Sequence, residues 1–253
     1  AFMAACTPAS AAPAVTSFSD ARWAWHNGEP PSWSVDPSTG RLTIAPAPGL
    51  DYWSKTFYGP QLLVKSDAPS FVADVAPAAE ATLTTAFTLH PRAQFDQAGV
   101  MVLVEDVCGD EVTTSAWVKA GVEFTDGYPN LSCVVTNAGF SDWSTQRIAC
   151  DADGGEVENN KVSIRVRVTK HLPGAEQGPC ITMEACAYSE GDTADSPGDW
   201  KQVRIASLRG RDCHSRYKIG VFSISPTAQN NSHVEFHHVV LGPKIQPVHH
   251  AEL

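Results

Sequence analysis

The chain has little of what builds a helix, a membrane span or a metal–thiolate site. No stretch approaches the roughly 18 consecutive apolar residues of a spanning helix, so no membrane partner is expected. Helical periodicity of 3.6 is nearly absent. Positive charge is scarce: 18 Lys and Arg stand against 28 Asp and Glu, a net charge of -10. Phosphate binding needs clustered Lys and Arg, so no nucleic-acid partner is expected. The acidic residues form no run and read as a solubilising surface.

The seven cysteines are Cys6, Cys108, Cys133, Cys150, Cys180, Cys186 and Cys213. Their number is odd and no pair has CxxC spacing, which fits neither a secreted disulfide framework nor a zinc knuckle. The expectation is free thiols in a reducing, cytoplasmic setting. Sequons at Asn130 and Asn230 carry little weight. The opening AFMAACTPASAAPAV lacks a basic n-region and does not read as a secretory signal. Ala1 and Phe2 before Met3 read as a vector remnant, and residues 1–16 as a disordered leader. No internal repeat, phosphate loop or nucleophile elbow is found, and no cofactor is implied.

What remains is strand. A hydrophobic content of 43% supports a substantial core. Short runs rich in Val, Ile, Thr and aromatics recur between Gly, Pro, Asp and Asn clusters. They predict strands at 33–35, 41–45, 71–75, 81–90, 98–105, 116–124, 131–136, 161–170, 181–189, 201–208, 218–225 and 234–241. A dozen strands without intervening helices predict an all-β fold. No linker interrupts them, so residues 17–245 are expected to form a single domain, followed by a tail at 246–253. Segments 151–160 and 174–178 read as exposed loops, and 191–198 as a hairpin tip.

Successive strand side chains point to opposite faces, so alternation assigns the faces. In KVSIRVRV, Val162, Ile164, Val166 and Val168 belong to the core, and Ser163, Arg165 and Arg167 oppose them. In AWVKAGVEF the core set is Val118, Ala120, Val122 and Phe124, opposed by Trp117, Lys119, Gly121 and Glu123. In QAGVMVLVE, Gln97, Gly99, Met101, Leu103 and Glu105 oppose Ala98, Val100, Val102 and Val104. Ionisable groups thus sit in mid-strand on one mixed face, which suggests a polar ligand there.

The succession NGEPPSW, DYWSKTFYG, FDQAGVMV, WVKAGVEF, VVTN with SDWS, IRVR, W-x-x-x-R-I-A-x-L and IGVFSISP resembles the DUF1349 family. It runs in the family's order from about Trp25 to about His238. The fungal branch of that family is labelled as regulators of enolase. The resemblance implies a jelly-roll β-sandwich of the concanavalin A-like lectin/glucanase superfamily, with two curved antiparallel sheets. Two departures stand out: an inserted Gly28, and a longer loop at 107–115. The family label supplies no chemistry, and fold analogy alone is a weak warrant for function.

The candidate ligand-binding residues are Gln97, Glu105, Trp117, Lys119, Glu123, Asp142, Trp143, Arg165 and Arg167. A carboxylate, an ammonium and an indole plate suit sugar recognition, because charged groups fix hydroxyls and the ring covers an apolar sugar face. The competing reading is a solvated ladder in which Arg165 or Arg167 neutralises Glu123. Gln97 can donate and accept at once. Asp142 and Trp143 are placed on a loop at the sheet rim. Asp96 is read as a turn cap. Asn27, Glu29, Trp33, Asp51, Tyr52, Trp53 and Tyr58 read as structural anchors, while Trp200 and Arg204, four apart on one strand, are candidates to complete the groove. His233, His237 and His238 invite a reading as metal ligands, but His237 and His238 alternate to opposite faces and no carboxylate or cysteine is positioned beside them, so no metal site is expected.

The sandwich-fold glucanases carry Glu-x-Asp-x-x-Glu on one strand, and that pattern is absent here. The leading expectation is a non-catalytic module that binds a small carbohydrate or sugar-derived metabolite on the concave sheet. Alternatives are a regulatory domain acting on a metabolic, glycolytic enzyme, and a sugar-active hydrolase or lyase using Glu105 or Glu123.

Overall fold

The computed structural model describes residues 13–56, 62–148, 161–172, 179–210, 214–227 and 232–248. Within them lie sixteen strands in chain order. They begin with β1 (Ala24–His26), β2 (Ser32–Val35), β3 (Leu42–Ala45), β4 (Tyr52–Ser54) and β5 (Val64–Ser66). Next come β6 (Ser70–Val75), β7 (Ala81–His90), β8 (Gln97–Cys108), β9 (Glu111–Thr125), β10 (Tyr128–Asn137) and β11 (Phe140–Arg147). The last are β12 (Val162–His171), β13 (Cys180–Ala187), β14 (Lys201–Ser207), β15 (His214–Ile224) and β16 (His233–Gly242).

Two seven-stranded antiparallel sheets form a jelly-roll β-sandwich. The first has the order β1-β6-β15-β8-β9-β10-β11, the second β14-β13-β12-β7-β16-β3-β2. All twelve strands expected from alternation are present. Val100, Val102, Val118, Val122, Ile219 and Val221 of the first sheet face Leu83, Phe87, Leu89, Val166, Val168 and Phe236 of the second. Burial of each such side chain contributes about 1.5–3 kcal/mol.

Four strands were not anticipated: β1, β4, β5 and β11. Strand β11 occupies the segment read as a rim loop. Its reversal is a two-residue turn in which Ala138 (φ 50) and Gly139 (φ 79) are both left-handed. Asp126 (φ 55) and Gly127 (φ 81) make the equivalent turn between β9 and β10. Such turns match the right-handed strand twist and fix the register of both hairpins. Segment 107–115, expected as a longer loop, is instead the extended tip of the β8–β9 hairpin, with Cys108 opposite Glu111.

A second apolar cluster sits on the outer face of the first sheet, away from the core. The β4–β5 hairpin covers that face, packing Tyr52 against Met101, Leu103, Trp117 and Phe222. Asn27 holds the hairpin through Tyr52 Oη at 2.8 Å and the Ser66 carbonyl at 2.8 Å. Glu29 accepts the Trp33 indole N–H at 3.0 Å. Both were expected to be structural. Tyr58 lies outside the described residues.

At the N-terminus, Val15 falls within the expected leader yet is buried in the core and exchanges backbone hydrogen bonds with Leu241. Cys108 is disulfide-bonded, which corrects the expectation of free thiols throughout. Cys133, Cys180 and Cys186 are free. Cys6, Cys150, Cys213, the loops at 151–160 and 174–178, Asn230, His249 and His250 fall outside the described residues.

Candidate functional site

Beside the β4–β5 hairpin, the outer face of the first sheet opens into a pocket of about 240 Å³. Cross-strand register makes its floor. Gln97 of β8 lies opposite Glu123 of β9, and Val134 of β10 lies between Lys119 of β9 and Trp143 of β11. Trp53, Phe95 and Trp143 form the walls, with Leu63, Pro226 and Thr227 at the margin. Trp143 stands edge-on to Trp53 at 6.4 Å and to Phe95 at 6.4 Å between ring centroids. The volume falls below the roughly 300–1,000 Å³ of drug-sized pockets, so the ligand that fits is small.

The strands approach closely beneath this floor. A Cβ on Gly99 would stand 2.1 Å from the Ala120 carbonyl oxygen, and one on Gly121 would stand 2.0 Å from that of Ala98. Only glycine fits at either position, because backbone atoms cannot swing aside. Gly99 was read as permitting such an approach.

The polar groups are buried and satisfied in a definite pattern. Lys119 Nζ pairs with Asp51 Oδ1 at 3.0 Å, so the ammonium is neutralised from the hairpin. Glu123 Oε2 accepts from Ser132 Oγ at 2.5 Å and from the Trp143 indole at 3.1 Å. Burial pushes the Glu123 carboxyl above the usual carboxylate range, and the Asp51 charge pushes the same way. Lys119 and the two donors oppose that shift without overcoming it. The pocket therefore holds a carboxyl biased toward its neutral, donating form beside a paired lysine.

Phe95 takes φ 70, a conformation rarely held by a bulky side chain. Asp96 secures the turn: its Oδ2 accepts from the backbone N–H groups of Arg92 and Ala93 at 2.7 and 2.8 Å, and its Oδ1 accepts from Ser225 Oγ at 2.7 Å. This is the capping role read for Asp96. Gln97 Nε2 donates to the Phe95 carbonyl at 3.2 Å.

Of the nine candidate residues, four line the pocket: Gln97, Lys119, Glu123 and Trp143. The other five lie elsewhere. Trp117 is on the floor's face but buried against Tyr52 beneath the hairpin. Glu105 is eight positions beyond Gln97 on β8, roughly 26 Å away, beside His26 at 3.3 Å and Lys218 at 3.7 Å. Asp142 is exposed at the sheet edge and lies on the other side of the sheet, opposite the core residue Val135, because the register that aims Trp143 at the pocket turns its neighbour to the opposite face.

Arg165 and Arg167 belong to the second sheet, on the far side of the core. Arg167 pairs with Glu184 at 2.6 Å, and Arg165 donates to the carbonyls of Ser196 and Pro197 at 2.7 Å each. Neither can neutralise Glu123. Trp200 lies over the same two guanidinium groups and so does not complete the groove. Alternation identified the arginines' outward face but not which sheet carried it.

Sequence reasoning passed over Asp51, Trp53, Leu63, Phe95, Ser132, Pro226 and Thr227 as site residues. One signal was available: Asp51 and Trp53 are two apart in an extended segment and so share a side.

Comparison with known proteins places the fold in context. Residues 25–244 match the family described as "Protein of unknown function (DUF1349)". The chain belongs to that family. A 118-residue segment is 36% identical to "Regulation of enolase protein 1" of Saccharomyces cerevisiae, covering 44% of this chain and 50% of that protein. The chain spans about half the length of the curated relatives it matches. A solved structure of a functionally unknown protein from Saccharomyces cerevisiae superposes with a TM-score of 0.64 at 24% identity, covering 91% of this chain and 100% of that one. A GH43 protein, BlXynB from Bacillus licheniformis, superposes with a TM-score of 0.53 at 13% identity, covering 88% of this chain and 37% of that one. At these identities the two structures speak for the jelly-roll fold alone.

Proposed function

We propose that this DUF1349 domain binds a small carbohydrate or sugar-derived metabolite in the pocket between Trp53, Phe95 and Trp143. The observation that carries this reading is an aromatic-walled pocket with Gln97, Lys119 and Glu123 on its floor. Indole faces cover the apolar face of a sugar ring, while an amide, an ammonium and a carboxyl supply directional bonds to hydroxyls. The pocket's size favours one ring over an oligosaccharide.

A thermal unfolding panel of monosaccharides, sugar acids and sugar phosphates tests the proposal. A ligand at 100 times its Kd adds about 2.7 kcal/mol, which raises the midpoint by roughly 5–10 °C. A shift that disappears in Trp143→Ala supports the site; a flat panel removes the sugar reading.

A second reading follows from the relative's name: the domain regulates a metabolic enzyme such as enolase, with cytoplasmic action as its setting. Leu62, Val64 and Phe140 are 72%, 63% and 59% exposed. They lie on the hairpin segment and on β11, which meet where the Ser54 N–H donates to Ser141 Oγ at 2.9 Å. Sedimentation of the domain with purified enolase, with Phe140→Ser as the control, tests this reading. Absence of a complex at micromolar concentrations removes it.

A further inference from the structure

The outer face of the second sheet, across the core from the pocket, carries an unusual row of imidazoles. Sequence alternation placed His237 and His238 on opposite faces. A register shift between Phe236 and His238 overturns that expectation. Phe236 and Val239 both remain in the core, and the extra residue leaves both histidines on the outer side. His237 is engaged there, bonded to Thr88 Oγ1 at 2.7 Å and stacked on Tyr188 at 4.8 Å.

His233 lies directly opposite His90 on the neighbouring strand. Glu235, two residues on, shares the face of His233. His90, His233 and Glu235 each offer a ligand atom, all within 4.8 Å of one another. Among the described residues no other three His, Cys, Asp or Glu side chains come together this way. The two imidazole rings stack at 4.1 Å and 10°. His90 Nε2 is buried and has no hydrogen-bond partner.

We infer that His90, His233 and Glu235 form a three-ligand site for a divalent transition-metal ion of the zinc, cobalt, nickel or copper class. Two imidazoles and one carboxylate suit that class. Magnesium and calcium need more oxygen ligands than one carboxylate supplies. Bonds of about 2.1 Å to a tetrahedral ion separate ligand atoms by about 3.4 Å, so side-chain rotation of roughly an ångström closes the site without moving either strand. Arg92 and Lys161 oppose a cation there, and Glu235 favours it. Three protein ligands leave a fourth position for water or for a group on a docked molecule.

Cobalt(II) titration followed by visible absorption tests this, in a His249→Ala/His250→Ala background that removes the tail histidines. One equivalent is expected to bind. His233→Ala should abolish the bands, and Glu235→Gln should weaken binding at least tenfold, while His237→Ala leaves it unchanged. Circular dichroism checks each fold; if His233→Ala does not fold, Glu235→Gln alone decides. The inference is overturned if millimolar cobalt gives no bands, if Glu235→Gln binds as the parent does, or if His237→Ala abolishes binding.

Discussion

Glu123→Gln separates stability from binding, because the structure expects the two to move in opposite directions. Glu123 is 4% exposed, and its carboxyl is shifted upward chiefly by burial. Glutamine keeps the shape, and its amide oxygen still accepts from Ser132 and Trp143. Lys119 is not orphaned, since Asp51 pairs with it. Replacing a buried carboxylate with a neutral amide of the same shape removes the desolvation cost of the charged form, which is the largest cause of its shift. The gain is small because two donors already serve the carboxylate. A gain of about 1–2 kcal/mol at pH 8 raises the midpoint by roughly 2–6 °C for a chain of this length.

The sign with pH follows from linkage. Below the unfolded pKa, glutamic acid is protonated in both states and costs nothing. As pH rises toward the raised folded value, the unfolded state releases its proton first and wild type loses stability. The advantage of Glu123→Gln should therefore be absent near pH 4 and present at pH 8. Ligand affinity should fall up to roughly 10-fold, the loss of one hydrogen bond donated by the carboxyl. Denaturant unfolding at the two pH values, with titration of a ligand found in the thermal panel, reads both quantities. A variant less stable than wild type at pH 8, with unchanged affinity, would refute the reasoning.

Three further outcomes are expected. Lys119→Met leaves Asp51 buried without its ammonium and should cost about 3–5 kcal/mol, whereas Asp51→Asn with Lys119→Met should recover most of that loss in a double-mutant cycle. Gly99→Ala and Gly121→Ala each drive a methyl into backbone at 2.1 Å or closer, so both should lose at least about 3 kcal/mol or fail to fold; near-native denaturation midpoints would contradict the close approach. Lys170 is fully buried against Tyr217, bonded to the carbonyls of Pro77 and Ala79, and burial brings its amine down to about 8 from 10.5. The unfolded state then binds more protons between those values, so stability relative to Lys170→Met should rise from pH 8 to pH 10.5, and parallel curves would refute the shift.

How much of this was legible in the sequence depends on the range of the contacts. Alternation alone put Gln97, Lys119 and Glu123 on one face, because a strand's period of two is local and strict. It failed at Asp142, though not at its neighbour Trp143, because the residue that faces the pocket depends on a two-residue turn at Ala138-Gly139. It failed at Arg165 and Arg167 because a period gives a face, not a sheet. The bulge at His237 broke the same rule, since one inserted residue reverses parity. Asp51 and Trp53 reach the site only through the folding-over of a hairpin about seventy residues away in sequence from Lys119, and no local pattern encodes that. The turn that carries Phe95 is also tied across the fold by the bond from Ser225 to Asp96, a long-range contact that sequence spacing does not reveal.

The most direct test of the account is a crystal structure of the protein soaked with the tightest ligand from the thermal panel. One sugar-sized molecule is expected between Trp53 and Trp143, with hydroxyls bonded to Gln97, Lys119 and Glu123. A ligand seated anywhere else, with that pocket holding only water, would contradict it.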